Sequence, residues 1–281
     1  MKKLTLTLAA AAFCFTGIIA QDNQAVLTQE GDDNKSSVLQ VGAANVTRTE
    51  AFGSENEIGI NQQGNNNVVD NLTEGNNVQA LTDQLGNQNL SEQIIRGDDV
   101  QALLMSNGSN NTGNMDLQGN ENFARSVQNG DGNLSIQMMT GSQNVSDLNS
   151  TGDANRNISE QTGDNNDVIL DQAGNESTSV NIQTGDSNST FQLQEGDNNV
   201  VNTRQTGNNN AAGLETDGGG IDQLGNNNTV GIKQEGNGNF GTSFQIGDDN
   251  AGVIDQAADG NSGILMQTGN RNDASIEQSN Q

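Results

Sequence analysis

Along most of the chain, apolar or small side chains fall at alternate positions in short tracts, and each tract ends in a cluster rich in Gly, Asn and Asp. The stretch from Gln161 to Asn175 is representative. Its tract DVILDQ, from Asp167 to Gln172, alternates with period two, and the cluster TGDNN precedes it. Alternation bounded by such residues predicts a strand followed by a turn.

This strand-turn unit recurs every eleven residues. Gln161, Gly163 and Asn166 are followed by Gln172, Gly174 and Ser177, then by Gln183, Gly185 and Asn188. The series continues as Gln194, Gly196 and Asn199, and as Gln205, Gly207 and Asn210. Glycine keeps the eleven-residue spacing from Gly31 to Gly218, and after a jump of seven it returns at Gly225, Gly236, Gly247 and Gly269. Ala258 and Asn280 fill the two remaining slots. A disordered polar tract has no use for fixed spacing, so the period implies units that stack on one another.

Neighbouring units differ in kind. Val168 and Leu170, Ala212 and Leu214, Val230 and Ile232, and Ala274 and Ile276 put small or apolar residues at one parity. Other units carry Asn157 and Ser159, Ser179 and Asn181, or Gly241 and Ser243 there. The expected repeat is therefore 22 residues, an amide-and-polar strand followed by an apolar one. On that count the segment from Thr216 to Asp222 is a shortened polar unit, after which the apolar type resumes at Val230. The inward parity of the polar strands stays open, because LSIQMM from Leu134 to Met139 offers apolar side chains on the other parity.

A strand-turn-strand-turn unit cannot bury its own inner face, so the fold expected is an all-β parallel β-solenoid of cross-β type, with equivalent residues about 4.8 Å apart along its axis. Gln172 would lie over Gln194 and under Ser150, its amide donating to one neighbour and accepting from the other, and such amide ladders stabilise cross-β stacks. Glycine at its fixed slot answers either a positive φ or a backbone packed too close for a side chain. Roughly a dozen coils would make a rod on the order of 55 to 60 Å long. Where Thr73, Ile95, Ser106 and Leu117 replace glutamine, between residues 70 and 126, looser or bulkier coils are expected. No polar cap precedes Gln29 or follows Gln278, so the terminal strands should offer open edges.

Composition by itself points the other way. Only 30% of the 281 residues are hydrophobic and 2% aromatic, with no Trp, Tyr, Pro or His, which would suit a disordered chain. The period overrides that reading. Lys2, Lys3 and the apolar run up to Ala20 predict a secretory signal peptide over residues 1–20, leaving 21–281 as the repeat domain. Its removal takes the net charge from −26 to −28 by loss of the two lysines, and takes away Cys14, the one cysteine. A chain this acidic repels nucleic acid and anionic membranes, and stable membrane insertion is not expected.

No nucleophile stands beside a base, so the chain is not expected to be an enzyme, and no cofactor, catalytic residue or metal site is assigned. The GDDN turns at Gly31 to Asn34 and Gly247 to Asn250 suggest calcium, but the calcium-binding β-roll repeats every nine residues with another glycine pattern. An ice-binding face would need an array of threonines, and Thr47 and Thr49 stand nearly alone. These, with a monomeric solenoid adhesin, are the alternatives to a polymer. Asp164, Asp167, Asp171, Asp186 and Asp197 come near one another on stacking, so assembly should quicken as salt rises or pH falls.

The pattern of Gln, Gly two residues on and Asn three further on, closed by a second Gln, resembles the curlin repeat of curli subunits. The likeness runs from about Gln29 to Gln278, and its full form spans Gln161 to Gln172 apart from the large Val168. The resemblance implies a structural subunit that passes unfolded through the periplasm and a dedicated outer-membrane curli-type channel. It would then polymerise with itself on the cell surface as a functional amyloid of biofilm matrix and adhesion. The count of coils, about twice that of a short curlin, and the lack of tyrosine leave open whether it is the bulk subunit or a nucleator of the fibre.

Overall fold

The computed structural model describes residues 22–213 and 220–279. The leader expected at 1–20 lies outside them, as do Leu214, Thr216 and Gly218. Strands of seven residues alternate with four-residue turns, as in Arg156–Thr162, the turn 163–166, and Asp167–Ala173. Successive strands go to two different sheets, and each pairs in parallel with the strand 22 residues on. Gln161 stands opposite Gln183 and Gln183 opposite Gln205 in the first sheet, Ser150 opposite Gln172 and Gln172 opposite Gln194 in the second. The chain is thus an all-β parallel solenoid.

The second, fourth and sixth residues of each strand face inward throughout. In Leu134–Thr140 these are Ser135, Gln137 and Met139, all buried, while Leu134, Ile136 and Met138 face out. In Thr178–Thr184 the buried residues are Ser179, Asn181 and Gln183, with Val180 and Ile182 half-buried outside. The open parity is thereby settled in favour of the polar set. A slip of one residue would carry a strand's whole inner set to solvent and misalign its turn, so a polar strand in mid-stack keeps the register of its neighbours.

The seven extra residues are an insertion within one rung, which corrects the shortened unit expected from Thr216 to Asp222. Ala211–Ala212 pairs with Ser189 and Thr190, and Ile221–Leu224 pairs with Gln192 to Glu195 of the same strand. The two pieces together occupy one strand position. Ile221 stands opposite Gln192, in the central inward place, and the next ladder contacts span 29 residues instead of 22. Residues inserted between two paired pieces of one rung add little loop entropy, whereas a short rung would leave its neighbours' backbone groups without partners.

The same insertion corrects the schedule of apolar strands. Val168 and Leu170 belong to the second sheet, but Val230 and Ile232 belong to the first. The 22-residue geometry is kept while the apolar lining changes sides. Buried apolar side chains form one cluster from Ala51 to Met139, a small one of Leu148, Val168 and Leu170, and one from Val201 to Leu265. In the coils between residues 70 and 126, Ile95, Leu104, Met115 and Leu117 are buried, and the pairing register runs on without a slip. In the glutamine slots of those coils Ile95 and Leu117 put aliphatic side chains inside, while Thr73 and Ser106 put small hydroxyls there.

Candidate functional site

Each turn is built to receive the coil that follows it. Gly163 has φ of 119°, and a Cβ there would lie 2.1 Å from the carbonyl oxygen of Gly185, so conformation and close approach both require glycine. Two residues on, Asn165 takes the left-handed conformation with φ of 57°, which Asn and Asp adopt more readily than most residues.

Asn166 closes the turn and bonds in both axial directions. Its backbone N–H donates to Asn144 Oδ1 (3.0 Å), and its own Oδ1 accepts the N–H of Asn188 (3.0 Å). Its Nδ2 donates to the carbonyl of Gly185 in the next coil (2.8 Å). Asn188 and Asn210 continue the column, Asn188 reaching Gly207 and Asn210 reaching Gly236, each at 2.8 Å. On the other side of the solenoid Ser177 does both tasks with its hydroxyl, accepting from Asn199 N–H and donating to Gly196 O, each at 3.2 Å. Asn199 in turn donates to Gly225 O at 2.7 Å. These side chains are buried, so each bond replaces contact with water that the folded state no longer allows.

The glutamines form two columns. In the first sheet Gln161 donates to Gln183 (3.1 Å), Gln183 to Gln205 (2.9 Å) and Gln205 to Gln234 (2.8 Å), and the chain of bonds continues through Gln256 to Gln278. In the second, Gln172 donates to Gln194 (2.7 Å), and Gln194, Gln223, Gln245 and Gln267 follow in order. Gln172 does not accept from its lower neighbour, as the sequence suggested it would. Ser150 is too short to reach it, and the Gln172 Oε1 has no partner among the described residues. Gln161 Oε1 is likewise unpartnered above Met139. Both long columns therefore start mid-rod, and a shorter one joins Gln40, Gln62 and Gln84 near the first coils.

A third column escaped the sequence reading. The residue after the turn glycine is usually Asp or Asn, with Ala43, Ser54, Ser109 and Ser142 as exceptions, and such an Oδ1 accepts the backbone N–H of the equivalent residue one coil earlier. Asp164 N–H donates to Asp186 (2.9 Å), Asp186 N–H to Asn208 (2.7 Å) and Asn175 N–H to Asp197 (2.8 Å). The signal was present in the bias toward Asx at that slot. Asp167 begins its strand between Val145 and Ser189, away from these columns.

These turn carboxylates are thus engaged by backbone, and Asp248 of the second GDDN turn accepts from Asn226 N–H at 2.9 Å. Among the described residues no group of three or more acidic, His or Cys side chains could hold a metal ion. Thr47 and Thr49 point into the core. On the outer face of the second sheet, Asp171 accepts from Asn149 Nδ2 at 3.1 Å. Burial pushes its carboxyl above the usual range, Asp147 and Glu195 add to that, and the Asn149 bond opposes it. Burial also raises Asp83, against the bond from Asn61, and it raises Asp222, helped there by Glu195. Cations on the outer faces pair with acids one coil away, as Arg125 does with Asp147 (2.9 Å) and Arg96 with Glu74 (3.1 Å).

Both ends of the described solenoid are sheet edges. Gln24–Glu30 and Lys35–Val41 pair on one side only, as do Ser262–Thr268 and Asp273–Ser279. Gly247 has the Gly269 carbonyl oxygen 2.3 Å from where its Cβ would be, but Gly269 has no backbone over it. Among the described residues, the side-chain and backbone groups that join one coil to the next are thus presented at each end with no further coil over them.

The sequence profile of the curlin associated repeat matches residues 196–236, 225–257 and 247–279. No curated protein sequence matches the chain. The matched repeats contain the same glycine turns, asparagine bonds and glutamine columns as the coils before them. Residues 196–279, somewhat under a third of the chain, are thus similar to curlin associated repeats.

Proposed function

We propose that the protein is a secreted structural subunit that polymerises end to end into curli-like extracellular amyloid fibres, serving biofilm matrix and adhesion. The observation that carries this reading is the pair of uncovered parallel edges, each presenting the groups that bond coil to coil inside the rod. A parallel edge with aligned backbone groups and no proline to interrupt it templates a further strand. The predicted leader and the curlin repeats support passage through the periplasm and a curli-type outer-membrane channel, with no catalytic step.

Fibre X-ray diffraction and thioflavin fluorescence on protein incubated at rest test the proposal. The expected pattern has a meridional spacing of about 4.7 to 4.8 Å and an equatorial band at about 10 Å. A protein that stays monomeric and β-rich at high concentration would overturn it and favour a solenoid that acts alone.

A further inference from the structure

We infer that successive subunits join with their two sheets exchanged, each copy rotated by about half a turn about the fibre axis beyond the solenoid's own twist. The inference rests on the end-to-end polymer proposed above and concerns how its ends mate. The first sheet has twelve rungs, from Gln24–Glu30 to Asp273–Ser279. The second has twelve strands of which two share one rung, hence eleven rungs, from Lys35–Val41 to Ser262–Thr268. The described rod therefore contains an odd number of half-coils.

A copy added in the same orientation would set Gln24–Glu30 on Asp273–Ser279. Lys35–Val41 would then stand two rungs above Ser262–Thr268, a separation of roughly 9.6 Å, and both of those edges would stay unpaired. Exchanging the sheets removes the gap. Gln24–Glu30 then lies on Ser262–Thr268, and Lys35–Val41 lies on Asp273–Ser279.

The residues so opposed agree in kind. Facing inward, Leu27 meets Leu265 and Val38 meets Ile276, while Gln29 and Gln40 extend the columns that end at Gln267 and Gln278. At the turn, Gly31 covers Gly269, and Asn34 reaches Asn272 as each asparagine reaches the next within the rod. On the outside, Val26 and Ile264, which are 52% and 61% exposed, cover each other. Lys35 stands over Asp273, and neither has an ion pair among the described residues. That contact repeats the one-coil pairing of Arg125 with Asp147 and Arg96 with Glu74. In the same-orientation joint Lys35 would be aligned with Ser262 and Val26 with Ser275, and both matches would be lost.

Two cysteine pairs in the full chain carrying Cys14→Ser distinguish the joints. Adjacent parallel strands bring equivalent Cα atoms to about 4.8 Å, within disulfide range. Fibres of Val26→Cys/Ile264→Cys should give intermolecular disulfide-linked peptides on mild oxidation, and fibres of Val26→Cys/Ser275→Cys should not. The reverse result would overturn the exchange while leaving the polymer intact. Linkage in neither pair, in fibres that still give cross-β diffraction, would also overturn it, as when another segment covers an end. Failure to form cross-β fibres at all would remove the underlying polymer reading together with it.

Charge gives a second check. Lys35→Glu and Asp273→Lys should each slow seeded elongation by roughly two- to fivefold, and the double variant should restore it. Equal slowing in singles and double would count against the contact. Helical reconstruction should give a rise of roughly 55 Å per subunit, from eleven and a half rung spacings.

Discussion

Replacing Asn166 by alanine tests whether the turn asparagines hold the coils together. The change removes the acceptor of the Asn188 N–H and the donor to the Gly185 carbonyl, at a side chain with no exposed surface. A buried backbone group left without a partner costs about 1 to 3 kcal/mol, so two cost on the order of 2 to 6 kcal/mol. Serine should cost about 1 kcal/mol or less, because Ser177 makes both contacts in the same position. A repeat rod opens coil by coil, so the readout should be local: hydrogen exchange at the Asn188 amide of dilute, unassembled protein. Protection should fall by roughly 30-fold or more in Asn166→Ala and by less than about tenfold in Asn166→Ser, at a factor of ten per 1.4 kcal/mol. Equal losses in the two variants, or less than a tenfold loss with alanine, would refute the role assigned to the bonds. The chain itself offers a comparison, since Val78 and Val100 occupy the asparagine slot and are buried in the largest apolar cluster, where their packing offsets the missing bonds.

Gly163→Ala should destabilise its coil by about 3 kcal/mol or more, measured by urea unfolding, because the new Cβ would overlap the Gly185 carbonyl at a positive φ. Gly132→Asn should be neutral or stabilising by up to about 1 kcal/mol in the same assay, since Gly132 has φ of 70° and nothing within 4 Å, and asparagines occupy that turn position elsewhere. Deleting residues 214–220 should preserve the fold and the thermal midpoint, read by circular dichroism, while collapse would mean that the segment forms a rung of its own. For pH, burial holds the folded carboxyls of Asp83, Asp171 and Asp222 above the ordinary aspartate range, so the folded state holds these protons more readily than the unfolded one. Their unfavourable contribution is full at neutral pH and is relieved as pH falls through the raised folded values toward the ordinary aspartate range, so Asp171→Asn should raise the thermal midpoint at pH 7 and shrink the gain seen on acidification.

The period was legible because it is a backbone requirement: every coil repeats the glycine turn, and a missing turn would break both neighbours. Which sheet each strand joins was harder to read. Gly218 falls one period after Gly207 and so counterfeits a slot, although Gly225 is the turn glycine of that rung. Only pairing of Ala211–Ala212 and Ile221–Leu224 with the same strand reveals the insertion. The polar parity was illegible for a related reason, since local alternation in LSIQMM favours burying Leu134, Ile136 and Met138. It loses to the register imposed by the coils above and below.

That override explains how a rod with so few large apolar residues holds together. The sixth strand position of the first sheet reads Gln29, then Ala51, Thr73, Ile95, Leu117 and Met139 in the early coils, then glutamine from Gln161 onward. In the second sheet Gln62 and Gln84 face the early aliphatic run. The interior thus changes from aliphatic packing against amides to two amide columns, with Val230, Ile232 and Ile254 filling the space between them. Aliphatic contacts tolerate a change of partner, whereas an amide column is satisfied only by another group at the same height and register. The coils nearest Asp273–Ser279 therefore present the more selective surface, with Gln267 and Gln278 each to be met by a glutamine in the proposed fibre. Selectivity at that end favours a partner whose first rungs carry the same residues, which Gln29 and Gln40 of this chain supply.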